Sequence, residues 1–167
     1  FLAALHYQAK RLYLTYLDVS TGESFTTDFS DSRKSCVALV DEILRVRPTE
    51  LLIHKRILED NRLKEGLVKQ LIEREIRFQR FQKRLSKSTP LFLEWVSGEI
   101  LNASGLDRRS GARFSFEMLF QTLETCSIQT ALQVITSYSV DEKLLMDQNT
   151  IRNLELLETL YSNSRQD

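Results

Sequence analysis

Three apolar runs separated by short polar stretches open the chain. Residues 1–7 and 12–19 are almost continuously apolar, which is typical of strands that are buried on both faces of a sheet. Gly22 lies in the polar interruption that follows, and the third run at 24–29 places its phenylalanines an even number of steps apart. The pattern predicts three consecutive strands joined by turns, with the second and third strands forming a hairpin.

Helical spacing begins after the third strand. Asp31 or Ser32 can cap a helix whose apolar positions recur every three or four residues until Pro48 prevents its continuation. A short apolar segment at 50–54 then predicts a buried strand, and residues 61–75 predict a second amphipathic helix. The order β-β-β-α-β-α resembles the ribonuclease-H-like topology, an α/β fold in which helices flank a mixed sheet.

The middle of the chain has a less regular pattern. Residues 76–82 fit either a strand or a continuation of the preceding helix, and we favour a strand that begins near Ile76. A helix is predicted from Pro90, with Gly105 placed to end it. Residues 102–113 form the most polar, glycine-containing stretch, which is typical of a loop.

Helical character returns in the last third of the chain. Residues 114–123 have helical spacing, residues 132–140 predict an extended connection because they are richer in β-branched side chains, and residues 146–160 predict a capped amphipathic helix. We therefore expect two parts, which are an α/β domain at 1–113 and a mainly helical C-terminal segment at 114–167.

The composition is that of an ordered globular protein. Apolar residues make up 42% and charged residues 28% of the 167 residues, and five Gly with two Pro leave little flexible linker. Lys plus Arg equals Asp plus Glu at 23 each, so no net charge draws the chain to nucleic acid or to an anionic membrane. Any DNA contact must therefore be local. Since the chain does not begin with methionine, we expect it to be a segment of a longer polypeptide.

The two cysteines indicate the cellular environment. Cys36 and Cys126 have no paired spacing, which favours a reduced, cytoplasmic protein with two buried thiols over a disulfide framework or a zinc site. No apolar run approaches the roughly 18 residues that a membrane-spanning helix needs. We expect neither membrane insertion nor a disulfide.

Candidate catalytic chemistry is sparse. A ribonuclease-H-like sheet invites a search for the metal-binding carboxylates of nucleases, and Asp18 is the only acid in the first two strands. Beside Ser20 and Gly22, however, a turn-forming role is favoured. His6 and His54 each end a predicted strand without a second ligand at metal-binding spacing. The five glycines fit neither GxxxxGK[ST] nor GxGxxG, so no nucleotide site is predicted.

A basic stretch at 74–87 is the strongest charge feature. It holds six cations against the single acid Glu75, with Phe78 and Phe81 between them. Cations pair with phosphates and aromatic rings stack on unpaired bases, so a local nucleic-acid contact is one interpretation. The favoured alternative is that the rings belong to the core and the cations form a solvated sheet edge. The candidate contact residues are Arg74, Arg77, Arg80, Lys83, Arg84 and Lys87.

Three strings, in order, carry a resemblance to a known family. LDVSTGE at 17–23, PTELLI at 48–53 and MDQNTIRNLEL at 146–156 resemble the connector region and the start of the lever in the DNA mismatch repair protein family MutS. The stretch at 76–113 departs most from the family's pattern. The residues in these strings that match the family's structural motif are Asp18, Gly22, Asp147, Arg152, Asn153 and Glu155.

The resemblance implies a non-catalytic role. A MutS connector has the ribonuclease-H-like fold and links the mismatch-reading domain to the core and lever, which carry the signal to the ATPase domains. The implied partners are the rest of the MutS chain, the protein MutL, which bacterial connectors are implicated in docking, and mismatched DNA through the parent protein. The resemblance implies no cofactor in this segment, since ATP and magnesium belong to the parent protein.

Two other functions remain open at the level of sequence. The first is a ribonuclease-H-like nuclease or resolvase in which Asp18 belongs to a metal site. The second is an independent nucleic-acid-binding module that uses residues 77–87.

Overall fold

The computed structural model describes residues 1–82, 96, 99–100, 104, 110–128 and 132–140, which build a six-stranded sheet with helices on both faces. The helix that we label α3 joins an α-helical turn (Asn61–Leu63), a π-helical turn (Lys64–Val68) and a second α-helical turn (Lys69–Glu73). The remaining elements are β1 (Leu2–Gln8), β2 (Arg11–Leu17), β3 (Glu23–Ser30), α1 (Arg33–Val46), β4 (Glu50–His54), α2 (Lys55–Glu59), β5 (Gln79–Phe81), α4 (Ser110–Thr125) and β6 (Val134–Ser137).

The sheet is mixed and has the strand order β5-β4-β1-β2-β3-β6. β1, β2 and β3 form an antiparallel meander, whereas β4 pairs parallel to β1, β5 parallel to β4 and β6 parallel to β3. The central strands are buried on both faces, which is why their sequences are almost continuously apolar. The α/β class and the mixed sheet flanked by helices are confirmed.

The β1–β2 hairpin turns on two residues that are not glycine. Ala9 and Lys10 have φ angles of 50° and 60°, the positive values that the type I′ form of a two-residue hairpin turn requires at both central positions. For L-residues this conformation costs roughly 1–2 kcal/mol each. The seven residue pairs between Leu2↔Leu17 and Gln8↔Arg11 offset that cost and fix the register.

α1 begins and ends as its sequence predicts. The Ser32 side chain caps it by accepting a hydrogen bond from the backbone N–H of Ser35 at 3.2 Å. At the other end Arg47 adopts a left-handed conformation with φ 48° and donates its N–H to the carbonyl of Ile43 at 2.9 Å. Pro48 follows immediately and prevents further helix.

Two hydrophobic cores lie on the opposite faces of the sheet. The first core contains apolar side chains of α1 and α3 packed on alternate residues of β1, β2 and β4. The second core is formed by α4, whose Phe116 and Phe120 are fully buried against the other face. Successive side chains of a strand point to opposite faces of the sheet, so Leu5 of β1 lies in the first core and its neighbour Ala4 lies in the second.

α4 begins earlier than its sequence predicts. The helix starts at Ser110, so residues 110–113 are helical where a loop is predicted, and 114–123 are helical as predicted. The reason is a close contact, because the Tyr13 ring lies where a side chain on residue 111 would stand and only Gly111 leaves room for it. The hydroxyl of Ser115 then contacts that of Thr15 at 2.6 Å, which ties the helix to the centre of the sheet.

Three further differences concern short elements. α2 at Lys55–Glu59 is not predicted, because five residues with one buried side chain carry no readable periodicity. β5 occupies only part of the strand predicted for 76–82. The extended segment predicted at 132–140 contains a strand of the sheet, β6, rather than a free connection.

The cysteine prediction holds for one residue only. Cys36 is buried in the first core, whereas Cys126 is exposed directly after the end of α4. Both are free thiols.

Other predictions lie wholly or mostly outside the described residues. Residues 99, 100 and 104 of the helix predicted from Pro90 are helical, and Val96 is buried in the second core. The helix predicted at 146–160 lies beyond the described part of the chain. In the part of the chain that the structure describes, no helix has the length and apolar character to cross a membrane.

Candidate functional site

Asp18 forms the turn between β2 and β3. Its Oδ1 accepts hydrogen bonds from the backbone N–H groups of Ser20 at 2.9 Å and Thr21 at 3.3 Å, and from the Ser20 hydroxyl at 2.5 Å. Gly22, with φ 76°, donates its N–H to the Asp18 carbonyl at 2.9 Å. The hydrogen bonds from Ser20 lower the pKa of the Asp18 carboxyl below its usual value. The ionised carboxylate is therefore engaged in its own turn.

The acids near Asp18 in sequence are also engaged locally. Asp28 forms an ion pair with Arg11 across the β2–β3 pair, and Asp31 accepts a hydrogen bond from the Tyr7 hydroxyl at 2.8 Å. Among the described residues, no three His, Cys, Asp or Glu side chains converge in a way that could hold a metal ion. The described acids do not form the carboxylate cluster of a nuclease.

His6 and His54 lie side by side, which their separation in sequence conceals. β1 and β4 are parallel with Leu5 opposite Ile53, so the next residue on each strand faces the second core. The two imidazole centroids are 4.8 Å apart, and the Phe114 ring packs on His6 at 5.2 Å. Both histidines are buried, and their Nδ1 atoms have no hydrogen-bond partner within the described part of the chain.

The environment keeps both imidazoles neutral. Burial, then the neighbouring His54 and Arg56, lower the pKa of His6 to about 3. Burial, then Arg56 and Lys55, lower the pKa of His54 to about 4, although Glu59 opposes this shift. At neutral pH such imidazoles are weak bases, so the pair is a packing feature rather than a general base. The sequence signal available for this contact was that each histidine ends an apolar run predicted to be a strand. The pairing of the two strands is seen only in the structure.

The basic stretch lies at the β5 edge of the sheet. Arg80 forms an ion pair with Glu59 at 2.9 Å, Arg77 is exposed, and Arg74 ends α3 with its guanidinium 4.0 Å from the Asp41 carboxylate. Lys83, Arg84 and Lys87 lie outside the described residues.

The two phenylalanines within that stretch belong to the cores. Phe78 packs against the first core, and Phe81 is buried in the second. Neither ring is free to stack on a base, which favours the interpretation as a solvated edge. The nucleic-acid contact stays a prediction that rests on the cations alone.

Among the described residues, surface depressions lie beside the helices that flank the sheet. A groove of about 770 Å³ runs between α1 and α3, where Val37, Arg62 and Gly66 are among the lining residues. A smaller, more apolar depression of about 390 Å³ includes Phe1 and Cys126 and lies at the opposite end of the molecule from the β1–β2 turn. Val37 and Ile72 are the exposed large apolar side chains among the described residues of α1 and α3, at 40% and 63%.

The third family string, MDQNTIRNLEL at 146–156, lies outside the described residues. Asp147, Arg152, Asn153 and Glu155 are beyond the described residues, so their role stays a prediction. Asp18 and Gly22 are the members of the motif whose contacts are described, and both act in one turn.

Comparisons with known proteins agree with the fold. The family model described as MutS domain II matches residues 1–133. A protein from Clostridium beijerinckii named DNA mismatch repair protein MutS is 28% identical over 169 residues, which cover 99% of this chain and 17% of the relative. A protein of the same name from Methanosarcina barkeri is 27% identical over 149 residues, covering 88% of this chain and 16% of the relative.

A third relative gives the same result. A protein from Nostoc punctiforme, also named DNA mismatch repair protein MutS, is 29% identical over 170 residues, covering 96% of this chain and 19% of the relative. The chain thus spans 16–19% of the length of these three relatives.

Proposed function

The chain belongs to the MutS domain II family, and from this premise we propose that it is the non-catalytic connector of a MutS-like DNA mismatch repair protein. The match over residues 1–133 is the observation that carries the proposal, because it covers the β1–β3 meander, α1 and α3 on one face and α4 on the other. The connector couples mismatch recognition to the ATPase and clamp parts of the longer, cytoplasmic protein. The rest of that protein is its first partner, and mismatched DNA is reached through it.

The chemistry of the described residues supports a mechanical role. Asp18 stabilises a turn, Asp28 pairs with Arg11, and the two buried histidines are neutral. These groups stabilise the fold instead of converging on a ligand. A sheet with packed helices on both faces resists deformation, so it can pass on a displacement of one end to the other.

No site for ATP or magnesium is found among the described residues. The glycines match no phosphate-binding sequence motif, and the acids in the described part of the chain do not converge. We therefore assign the nucleotide and its metal to other parts of the longer protein, and we derive no reaction step here.

Docking of MutL is the second part of the proposal. The outer surfaces of α1 and α3 carry Val37 and Ile72, and a partner that covers exposed apolar side chains gains free energy from burying them. In the longer protein, Val37→Glu with Ile72→Glu should weaken MutL binding by about tenfold or more.

Ile128→Glu is the matched control for this experiment, because Ile128 is 40% exposed, as Val37 is, but follows α4, the helix of the second core. Calorimetry or surface plasmon resonance with purified MutL gives the affinity. Equal loss in both variants, or no loss in the double variant, would reject these helices as the docking surface.

A nuclease is the competing enzyme function, and Asp18 decides it. Magnesium-dependent cleavage of branched or hybrid DNA that Asp18→Asn abolishes would replace our proposal with a catalytic one. The hydrogen bonds of the Asp18 carboxylate within its own turn favour the structural role.

A local nucleic-acid contact is the competing binding function. Each cation that contacts a phosphate steepens the salt dependence of the affinity, so replacing Arg77 and Arg80 by Gln should reduce the salt slope of duplex binding by up to about two if both make contacts. A slope equal to that of the unchanged chain would reject these two residues as contacts.

A further inference from the structure

The last described segment of the chain ties the two faces of the sheet together. In residues 132–140, which we call the strap, Ile135 is buried in the second core. Val140, five residues later, is buried in the first core, on the opposite face. The strap therefore runs along the β3 edge of the sheet and contacts the layers on both faces.

Backbone contacts hold the strap to β3 along a short length. Besides the parallel pairing from Glu23↔Val134 to Thr26↔Ser137, the N–H of Gln133 donates to the Gly22 carbonyl at 3.0 Å. The N–H of Tyr138 donates to the Thr26 carbonyl at 3.1 Å. Because β6 is an edge strand of four residues, water can satisfy these groups when the strand separates.

A polar cluster fastens the far end of the strap to α1. The Tyr138 hydroxyl donates a short hydrogen bond to Oε1 of Glu42, whose side chain is only 5% exposed. The guanidinium of Arg45 binds the same carboxylate through both of its oxygens, at 2.5 and 2.9 Å. Burial and the bond to Glu42 raise the pKa of the Tyr138 phenol, so the phenol stays protonated as the donor.

This arrangement allows Tyr138 to leave without stranding a buried charge. Arg45 lies on the same helix as Glu42, three residues away, and its side chain is 46% exposed. When the phenol departs, the guanidinium still neutralises the carboxylate with two hydrogen bonds. Release then breaks the bond from Tyr138 to Glu42, the contact of the same phenol with Tyr16, the pairing of β6 with β3 and the burial of a few apolar side chains. It does not add the penalty of an unpaired buried ion.

We propose that the strap is a releasable latch, held closed by the hydrogen bond from Tyr138 to Glu42. In the closed state β6 completes the sheet and the strap contacts the helical layers on both faces. In the released state the β3 edge is bare and both contacts are lost. The claim that the latch carries the connector's signal rests on the proposed function. The claim that the latch opens concerns this chain alone.

Hydrogen exchange of the 167-residue chain tests the opening. Tyr138→Phe keeps the ring but removes the hydroxyl, and should speed exchange of the amides of residues 132–140 by about tenfold or more while leaving β1 at its original rate. The matched control is Tyr7→Phe, which removes another tyrosine-to-carboxylate hydrogen bond, to Asp31 at 2.8 Å, away from the strap. It should leave exchange of the strap unchanged.

Two outcomes of that experiment would overturn the latch. One is an unchanged rate in residues 132–140 of Tyr138→Phe. The other is an equal acceleration in the strap and in β1, since that would mean general destabilisation. A third variant, Glu42→Gln, keeps the side-chain shape but weakens the acceptor, and should accelerate exchange in the strap in the same direction as Tyr138→Phe; no acceleration would also count against the latch.

The longer protein separates failure of the latch from failure of the proposed function. Tyr138→Phe should change the ratio of ATP turnover with mismatched duplex to that with matched duplex by at least about twofold. If the strap opens but this ratio is unchanged, the latch is not the route of coupling. The connector role itself fails only if removing the whole domain also leaves the ratio unchanged.

Discussion

Asp18 shows what a single side chain contributes to this fold. Its carboxylate accepts three hydrogen bonds within one turn. The turn could be predicted from the sequence because Asp18 ends an apolar strand and Gly22 follows it closely. The turn is local, so residues close in sequence determine it. This is the part of the candidate site that the sequence predicts best.

The turn role of Asp18 predicts that its replacement by Ala and its replacement by Asn have different effects on stability. Asp18→Ala should lower the free energy of unfolding, because the amides of Ser20 and Thr21 lose their acceptor. Asp18→Asn should retain most of the stability, since the amide oxygen can accept the same bonds. Urea denaturation of the three proteins measures both. A loss in Asp18→Asn as large as that in Asp18→Ala would mean that the negative charge, and not the turn, matters.

The histidine pair could not be predicted in the same way. Forty-eight positions separate the two residues, and only the parallel pairing of β1 with β4 brings their rings together. Local spacing carries no information about which strands pair. A contact of this kind follows from topology, which the sequence pattern leaves open.

The same pair predicts a pH dependence of stability. In the unfolded chain both imidazoles bind a proton near pH 6.5, whereas in the folded chain His6 and His54 do so near pH 3 and 4. The unfolded state therefore takes up more protons as the pH falls below 6.5. Each histidine should lower the free energy of unfolding by up to about 1.4 kcal/mol per pH unit between pH 6.5 and its folded pKa, and neither should matter above that range.

Urea denaturation between pH 7.5 and 5 measures this slope before most carboxylates titrate. His54→Gln should flatten the decline, whatever it does to stability at pH 7.5. The groups whose charges bear on the pair are Lys55, Arg56 and Glu59. A slope identical in the two proteins would contradict the neutral, buried state of His54.

At the scale of elements, α1 and α3 were predicted because their apolar spacing is long enough to be read. α2 was not predicted, and β5 is shorter than the strand predicted for 76–82, since five and three residues are too few for periodicity to define an element or its ends. The start of α4 was missed for another reason. Its first turn reads as a polar, glycine-containing loop until the ring of Tyr13 is known to pack on Gly111.

Two helical glycines should respond in opposite directions to the same substitution. In Gly111→Ala the new Cβ would lie 2.1 to 2.5 Å from ring atoms of the buried Tyr13, which predicts a loss of roughly 1–3 kcal/mol. In Gly66→Ala the Cβ meets nothing within 4 Å, so the gain in helix propensity should stabilise the protein by about 0.5–1 kcal/mol. Thermal and urea unfolding measure both changes. Destabilisation of equal size in both variants would contradict the close packing of α4 on β2.

At the scale of the molecule, the extent of the folding unit is open to a direct test. A boundary after residue 113 is predicted from the sequence, whereas α4 packs on β1 and β2 and β6 pairs with β3. A chain ending at 113 would expose the surface that Phe116, Leu119 and Phe120 cover. At about 2 kcal/mol for each side chain, that loss is comparable to the whole stability of a domain.

We therefore expect residues 1–140 to unfold cooperatively and residues 1–113 to lack a cooperative transition. Circular dichroism during urea titration compares the two chains at equal concentration. A cooperative transition of normal midpoint for residues 1–113 would support the boundary after that residue and would make α4 an appendage.

The central claim is that this domain couples mismatch recognition to ATP turnover without doing chemistry itself. The most direct measurement is made on the longer MutS-type protein, with residues 1–140 replaced by a flexible Gly/Ser linker. We predict that basal ATP turnover and mismatch affinity are retained while the ratio of ATP turnover with mismatched duplex to that with matched duplex falls to about 1, because a flexible linker transmits no displacement. A ratio equal to that of the intact protein would contradict the account.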